Sequence, residues 1–261
     1  MFKDGLMFHI AMKKGDVGKY VLLPGDPGRC ERIASYFDEP VLVANNREYR
    51  TYTGTLIGEK VSVMSTGIGS PSTAIAVEEL AALSADTFIR VGTAGGVQPY
   101  IKPGDVAIVT AAIRDEGTTP EYMPIEFPAV ANLDVVLALR EGARRVGLPY
   151  HVGITHSKDS FYGEMQPERM PVGPKLRERW KAWEMGGAIC SEMESAAIFI
   201  ICSILGKRAG GVMLVADSPT FKPASEGERQ LGIALIDIDR PIRTAIEALK
   251  LLIKQDRRET S

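Results

Sequence analysis

The stretch "RVGTAGGVQP" at 90–99 places an arginine at the end of the apolar run "TFIRVG". A cation there either turns to water or holds something anionic, because an unpaired buried charge is costly. Gly92, Thr93, Gly95 and Gly96 follow at once, offering a hydroxyl and backbone amides that a ligand can approach closely. A surface ion pair for Arg90 is the competing reading. A second cluster is "SEMES" at 191–195, where Glu192 and Glu194 flank Met193. On a helix these carboxylates would not share a face, whereas on an extended segment both point the same way. Chemistry at a sugar needs a carboxylate beside the ring and an apolar floor beneath it, and this pentapeptide carries both. A capping box at a helix start explains the same letters.

Three weaker signals accompany them. "PGDPGR" at 24–29 is a tight turn with two glycines and Arg29 between an apolar run and helical spacing. Such a turn can present backbone N–H groups to an anion, although many strand-to-helix turns are equally rich in Gly and Pro. It is neither a Walker loop, since no GK[ST] follows, nor a GxGxxG dinucleotide turn. In "STGIGSPSTAIAVEEL" at 65–80, Ser70 is placed to cap a helix and Pro71 suits its first position. Capping accounts for those two residues but not for Gly67 and Gly69 together. "VADSPT" at 215–220 ends a strand on Asp217, a general acid or a turn-capping residue. His151 and His156 occupy odd and even positions of one strand, face opposite ways and read as structural. No Ser-His-Asp set or metal cluster is visible, and Cys30, Cys190 and Cys202 form no CxxC pair. They read as buried thiols of a reducing compartment.

The elements that must position these residues alternate between strand and helix. Apolar runs predict strands at 19–26, 86–92, 104–112, 149–157 and 210–218. The segment 52–67 reads as two strands joined by a Gly58-Glu59 turn. Helices are expected over 29–37, from Ser70 to about 84, over 133–146, within 189–205, and from roughly 226 to 254. Alternation argues for an α/β layered domain, and the short link near Gly58 for a mixed sheet, since two residues can join only antiparallel strands. The stretches 115–128 and 158–175 read as irregular loops, candidate walls of a pocket.

Composition narrows the partners. The chain has 261 residues, 45% of them hydrophobic, enough for a full core. Its 31 basic and 33 acidic residues give a net charge of −2, with no sign of a nucleic-acid-binding surface. No run approaches the ~18 apolar residues of a membrane span, and the charged N-terminal "MFKDGLMFHI" does not read as a signal peptide. A cytoplasmic location is the expectation.

Taken together, the motifs resemble the nucleoside phosphorylases of the family that includes uridine phosphorylase and hexameric purine nucleoside phosphorylase. The matching pieces are "VLLPGDPGR", "NNREYRTYTG", "STGIGSPSTAIAVEEL", "FIRVGTAGGVQP", "GDVAIVTAA", "EFPAVA", "KDSFYGE" and "SEMES", spread over about residues 7 to 217. The resemblance implies a single-domain three-layer α/β/α fold whose mixed central sheet is partly barrel-like. It implies phosphorolysis of a nucleoside, most simply uridine, to free base and ribose 1-phosphate, with inorganic phosphate as co-substrate and no required cofactor. Gly25, Arg29, Arg90 and Thr93 would line the phosphate site, joined by Arg47 from a neighbouring subunit. His9 would reach a neighbour's ribose. Glu194, Met193, Glu192 and Thr93 would frame the sugar, with Arg90, Glu194 and Asp217 the reacting set. Gly95, Phe161, Gln166, Arg169, Val215 and Asp217 would surround the base.

Glu48, Ile68 and Ser72 match the ligand positions of a monovalent cation, potassium, at a dimer interface. The implied assembly is a homo-oligomer, a hexamer built as a trimer of dimers. In the base pocket the match departs from the family pattern. Gln166 and Arg169 stand three apart where uridine phosphorylases keep a Gln-x-Arg pair, so either one residue is inserted or Glu164 takes the glutamine's place. Asp217 is a purine-branch feature, where an acid protonates the purine N7. Purine nucleoside phosphorolysis is therefore the alternative, followed by a phosphate-independent nucleosidase or a nucleoside-binding protein without turnover.

Overall fold

The computed structural model of the chain describes residues 2–3, 5–217 and 237–259. A short ribbon of β1 (Phe2–Lys3) and β2 (Leu6–Met7) precedes a ten-stranded mixed sheet. The buried run β3 (Tyr20–Leu23) lies parallel to both of its neighbours, β6 (Glu59–Met64) and β7 (Thr87–Gly96). After α1 (Arg29–Ala34), an antiparallel meander of β4 (Asp38–Asn46), β5 (Tyr49–Leu56) and β6 (Glu59–Met64) forms an open wing. Then come α2 (Ser70–Ala82), β7 (Thr87–Gly96), β8 (Val106–Asp115), β9 (Ala129–Val130), α3 (Leu133–Val146) and β10 (Tyr150–Lys158). The chain continues through α4 (Phe161–Met165), α5 (Gly173–Met185), β11 (Cys190–Glu192), α6 (Ser195–Ile204), β12 (Arg208–Asp217) and α7 (Asp239–Glu259).

The sheet runs β11-β10-β8-β12-β7-β3-β6-β5-β4, with β9 paired to β8 as the tenth strand, and β11 also pairs with β7. That last pairing, Cys190 with Gly96 and Ser191 with Gly95, closes β7, β12, β8, β10 and β11 into a small barrel. The expected mixed, partly barrel-like sheet is what forms. Helices cover both of its faces. A side chain at Gly210 would strike Val135 of α3, while one at Gly211 would meet Ser195 of α6 on the opposite side. α3 packs on α7 and α2 on α6, completing three layers. Asp256 of α7 ties the far end together, accepting from Tyr20 Oη at 2.5 Å and from the Arg208 guanidinium at 2.6 and 2.9 Å.

Several boundaries differ from the sequence expectation for identifiable reasons. α3 forms over the expected residues, because Asn132 accepts from the Val135 amide and Gly147 ends the helix at φ 74°. The hairpin turn falls on Ile57 and Gly58, both at positive φ, and Glu59 already belongs to β6. Ser70 is not the cap of α2. Gly69 at φ 95° occupies that position without a side-chain bond, and Ser70 Oγ instead donates to the Met193 carbonyl at 3.3 Å. α1 stops at Ala34, and α7 begins at Asp239, the expected start near 226 lying outside the described residues. The supposedly irregular 158–175 contains α4, a 3-10 turn at Pro167–Arg169 and the beginning of α5.

Candidate active site

Arg90 does not end its strand. β7 continues through the glycines to Gly96, so their backbone lies in ladder register with β11 and β12 rather than open to a ligand. Glycine is needed there because a Cβ at Gly96 would come within 3.1 Å of the Asp217 carbonyl oxygen. It is needed at Gly92 because Arg90 folds back over it: a Cβ there would lie 3.0 Å from Arg90 Nη2 and 2.7 Å from Met213 Sδ.

The Arg90 guanidinium is 5% exposed and held by both glutamates of "SEMES". Its Nε donates to Glu192 Oε2 at 2.7 Å, and Nη2 ion-pairs with Glu194 Oε2. The two carboxylates converge because Glu192 ends a strand and Glu194 precedes a helix. Glu192 also accepts from the Ser157 hydroxyl and from the Glu194 and Ser195 amides at 2.9 and 3.0 Å. No capping box forms, since the Ser191 hydroxyl is engaged by Lys158 and Glu164; Glu192 instead takes the first amide of α6 and fixes Arg90. Glu194 accepts from the Gly69 amide at 2.6 Å, which ties the turn before α2 to the site.

The charges are unequal in character. Burial opposes ionisation of all three groups. Burial, with Glu192 beside it, pushes Glu194 above the usual carboxylate range, only partly offset by Arg90. Glu192 goes the other way, since Arg90, Ser157 and the two amides outweigh its burial. Arg90 is held above its ordinary value because the two carboxylates outweigh the cost of burying it. Its Nη1 is buried and has no hydrogen-bond partner among the described residues.

A cleft of about 380 Å³ opens nearby, lined by Asp26, Gly28, Arg29, Arg32, Thr93 and Leu214 among others. Arg29 and Thr93, predicted from separate motifs, share this cleft. The Arg29 guanidinium is pulled below its ordinary value by burial and by the charge of Arg90, with Asp26 at 3.8 Å opposing. Gly25 is placed by backbone bonds that stitch Pro24-Gly25 to Thr66-Gly67 at 2.9 and 3.0 Å.

Other predicted residues fall into three groups. Gly95, Val215 and Asp217 lie side by side where β7, β11 and β12 meet, with Val215 fully buried. Phe161 is exposed on α4 and meets Tyr162 edge to face. Gln166 and Arg169 bracket the 3-10 turn, where a spacing of three puts them together, and Arg169 Nη1 donates to Gln166 Oε1. Glu48 and Ser72 are hydrogen-bonded at 2.7 Å behind Gly67, whose missing Cβ would crowd Glu48, while Ile68 is exposed beside them. His9 is bound to Glu79, Nδ1 to Oε1 at 2.7 Å, and Asn46 holds its carbonyl. Arg47 stands exposed at the tip of the β4–β5 turn, at φ 54°.

One cluster was not foreseen. Lys158, 6% exposed, donates to Ser191 Oγ at 2.7 Å and pairs with Glu164 Oε2 at 2.8 Å. His156 joins it, bonding Ser191 at 3.1 Å through Nδ1 and Asp115 at 2.9 Å through Nε2. Burial would lower His156, but Asp115 and Glu164 raise it overall. His156, Lys158 and Ser191 in turn keep Glu164 below the usual carboxylate range despite its burial. A buried lysine and histidine at 158 and 156 on one strand face were the available signal.

Comparison with known proteins settles the family. A family model described as Phosphorylase superfamily matches residues 19–246. The chain belongs to the phosphorylase superfamily. Within it, the chain is 51% identical over 249 residues to a uridine phosphorylase of Treponema pallidum, covering 95% of each. A uridine phosphorylase of Thermococcus kodakarensis is 46% identical over 97% of this chain and 89% of its own length. A guanosine phosphorylase of Halorubrum lacusprofundi is 35% identical over 94% and 98%. The resemblance to nucleoside phosphorylases drawn from the motifs is borne out over most of the chain. Among the described residues, no helix is long and apolar enough to cross a membrane, and no cluster of three His, Cys, Asp or Glu is set to hold a metal.

Proposed function

We propose that the protein is a pentosyltransferase that cleaves uridine with inorganic phosphate, giving uracil and ribose 1-phosphate. The observation that carries this reading is the buried Arg90, with two arms committed to glutamates and Nη1 without a partner among the described residues, on the strand that also gives Thr93 to the cleft and within electrostatic reach of Arg29. A phosphate oxyanion supplies what that nitrogen lacks, and guanidinium groups suit it better than ammonium does. Two arginines that raise each other's electrostatic cost, as Arg29 and Arg90 do, are relieved by a dianion between them.

In this reading phosphate binds to Arg90, Arg29, Thr93 and the Gly25 turn. Glu194 takes the 2′- and 3′-hydroxyls, and Met193 lies under the sugar. Glu192, whose oxygens already serve Arg90 and α6, positions Arg90 rather than touching the sugar. The N-glycosidic bond lengthens toward an oxocarbenium-like sugar. A phosphate oxygen then bonds to the anomeric carbon as the base leaves with the bonding pair, and no covalent enzyme intermediate is formed. Val215, Gly95 and Phe161 enclose the base.

Arg47 and His9 serve a neighbouring copy in this scheme, which makes the working unit a homodimer within a larger ring, the hexamer. Glu48, Ser72 and the exposed Ile68 turn offer oxygen donors, the donor type a monovalent cation such as potassium takes. No step of the reaction passes through that ion.

The test is release of free base from uridine and from inosine, with phosphate present and with phosphate removed. Uracil release that requires phosphate supports the reading; phosphate-independent release would mark a nucleosidase. A purine substrate is the second reading, favoured by Asp217 opposite Gly95 and by the guanosine phosphorylase relative. Asp217→Asn should then abolish inosine cleavage while sparing uridine.

A further inference from the structure

Glu164 lies on α4, the helix that also carries Phe161, and its carboxylate turns toward the barrel. Oε2 is fully engaged, with Lys158 Nζ at 2.8 Å, the Ser191 hydroxyl donating to it, and His156 Nδ1 at 3.6 Å. Oε1 takes no hydrogen bond from the described residues. It stands 3.8 Å from the point where a Cβ of Gly95 would be. Gly95 pairs in register with Ser191, and the next residue, Glu192, holds Arg90. This oxygen therefore overlooks the floor of the site, one residue from the Arg90 cluster. The Gln166 amide oxygen is differently placed, being occupied by Arg169, which is exposed.

We propose that Glu164, not Gln166, is the acceptor that reads the ring N–H of the nucleobase, with Lys158 and Ser191 holding its carboxylate in place. The assignment rests on the phosphorolysis reading above and names its specificity residue. An ionised carboxylate is acceptor only. It matches the N3–H of uracil and the lactam N–H of hypoxanthine or guanine. Against cytosine, whose N3 is itself an acceptor, it sets lone pair against lone pair. A site built to bind an N–H rejects analogues that lack it far more strongly than an apolar pocket rejects a missing methyl.

Glu164→Gln changes one atom's character. Lys158 and Ser191 both need an acceptor at the Oε2 position, so the new carbonyl oxygen goes there and the NH2 group faces the base. Donor then meets donor at uracil N3, and cytosine gains a partner. Calorimetric titration with free uracil and free cytosine, phosphate present, reads this directly on the native protein, Glu164→Gln and Gln166→Ala. Glu164→Gln is expected to weaken uracil roughly 10- to 100-fold and to tighten cytosine, from the worth of a hydrogen bond to a charged group. Gln166→Ala is expected to keep the native preference for uracil over cytosine, a result independent of how Glu164→Gln folds. Preference for uracil unchanged in Glu164→Gln, or lost in Gln166→Ala, overturns the proposal. Native protein that binds neither base overturns the phosphorolysis reading itself, and this assignment with it.

Discussion

Arg90 brings a positive charge into a nearly dry position, and everything within reach is arranged around that fact. Two carboxylates neutralise it, and a strand, a helix start and a glycine-bounded turn deliver them. Lysine would keep the charge but has one nitrogen where Arg90 engages two and offers a third. Arg90→Lys is therefore expected to lower kcat/KM for uridine phosphorolysis by about 10²- to 10³-fold, with a raised KM for phosphate and an unchanged circular dichroism spectrum. A variant with native kinetics would remove Arg90 from the reaction. His156 offers a test of the neighbouring cluster through stability. Its folded value is raised, since Asp115 of β8 and Glu164 of α4 outweigh burial, with Lys158 of the same strand and Arg179 of α5 also nearby. The stabilisation is fully present below the unfolded value of about 6.5 and is lost as pH rises through the folded one. The Tm difference between native protein and His156→Gln should narrow as pH rises from about 6.5 through the raised folded value; a constant or widening gap would contradict the assignment.

At the scale of elements, β7 is the strand that carries Arg90, Thr93 and Gly95, which the proposed reading sets at the anion, sugar and base. Gly92→Ala tests whether its glycines are there for the site. The added methyl would press on Arg90 and on the buried Met213. A loss of about 1–3 kcal/mol in stability is expected, with a drop in kcat/KM larger than that destabilisation explains at working temperature. Unchanged turnover would mean Arg90 has room that the structure does not show. The legibility of such elements in the sequence follows from their burial. α3 carries an apolar stripe between a capping asparagine and a terminal glycine, and its limits could be read directly. β4 could not, because "DEPVLVANN" is largely exposed, bulged twice against β5, and has no alternation to detect. α5 escaped for a related reason: of its thirteen residues only Gly173 is buried, so no stripe marks it. In the site, Arg90, Arg29 and the two glutamates were visible because each sits in a locally distinctive stretch of sequence. The Lys158–Glu164–Ser191 cluster was not, since its members are 6 and 27 residues apart and only the closed barrel brings them together.

At the scale of the whole molecule, the barrel and its open wing divide the work. The barrel end holds Arg90, Glu194 and Gly95, while the wing presents Arg47 at the exposed tip of the β4–β5 turn. If the wing completes a neighbour's site, inactive variants should rescue one another. Equal mixing and subunit exchange of Arg47→Ala with Arg90→Ala is expected to restore about a quarter of native activity, since half the dimers are mixed and each has one intact site. Absence of rescue, in mixtures shown to exchange subunits, would confine the site to one chain. The central claim remains that Arg90, poised by Glu192 and Glu194, is waiting for an oxyanion. A crystal structure of the protein grown with phosphate tests it most directly. The account predicts one phosphate bonded to Arg90 Nη1 and to Arg29, with Thr93 beside it. Phosphate bound elsewhere, with Arg90 still held by the two glutamates alone, would contradict it.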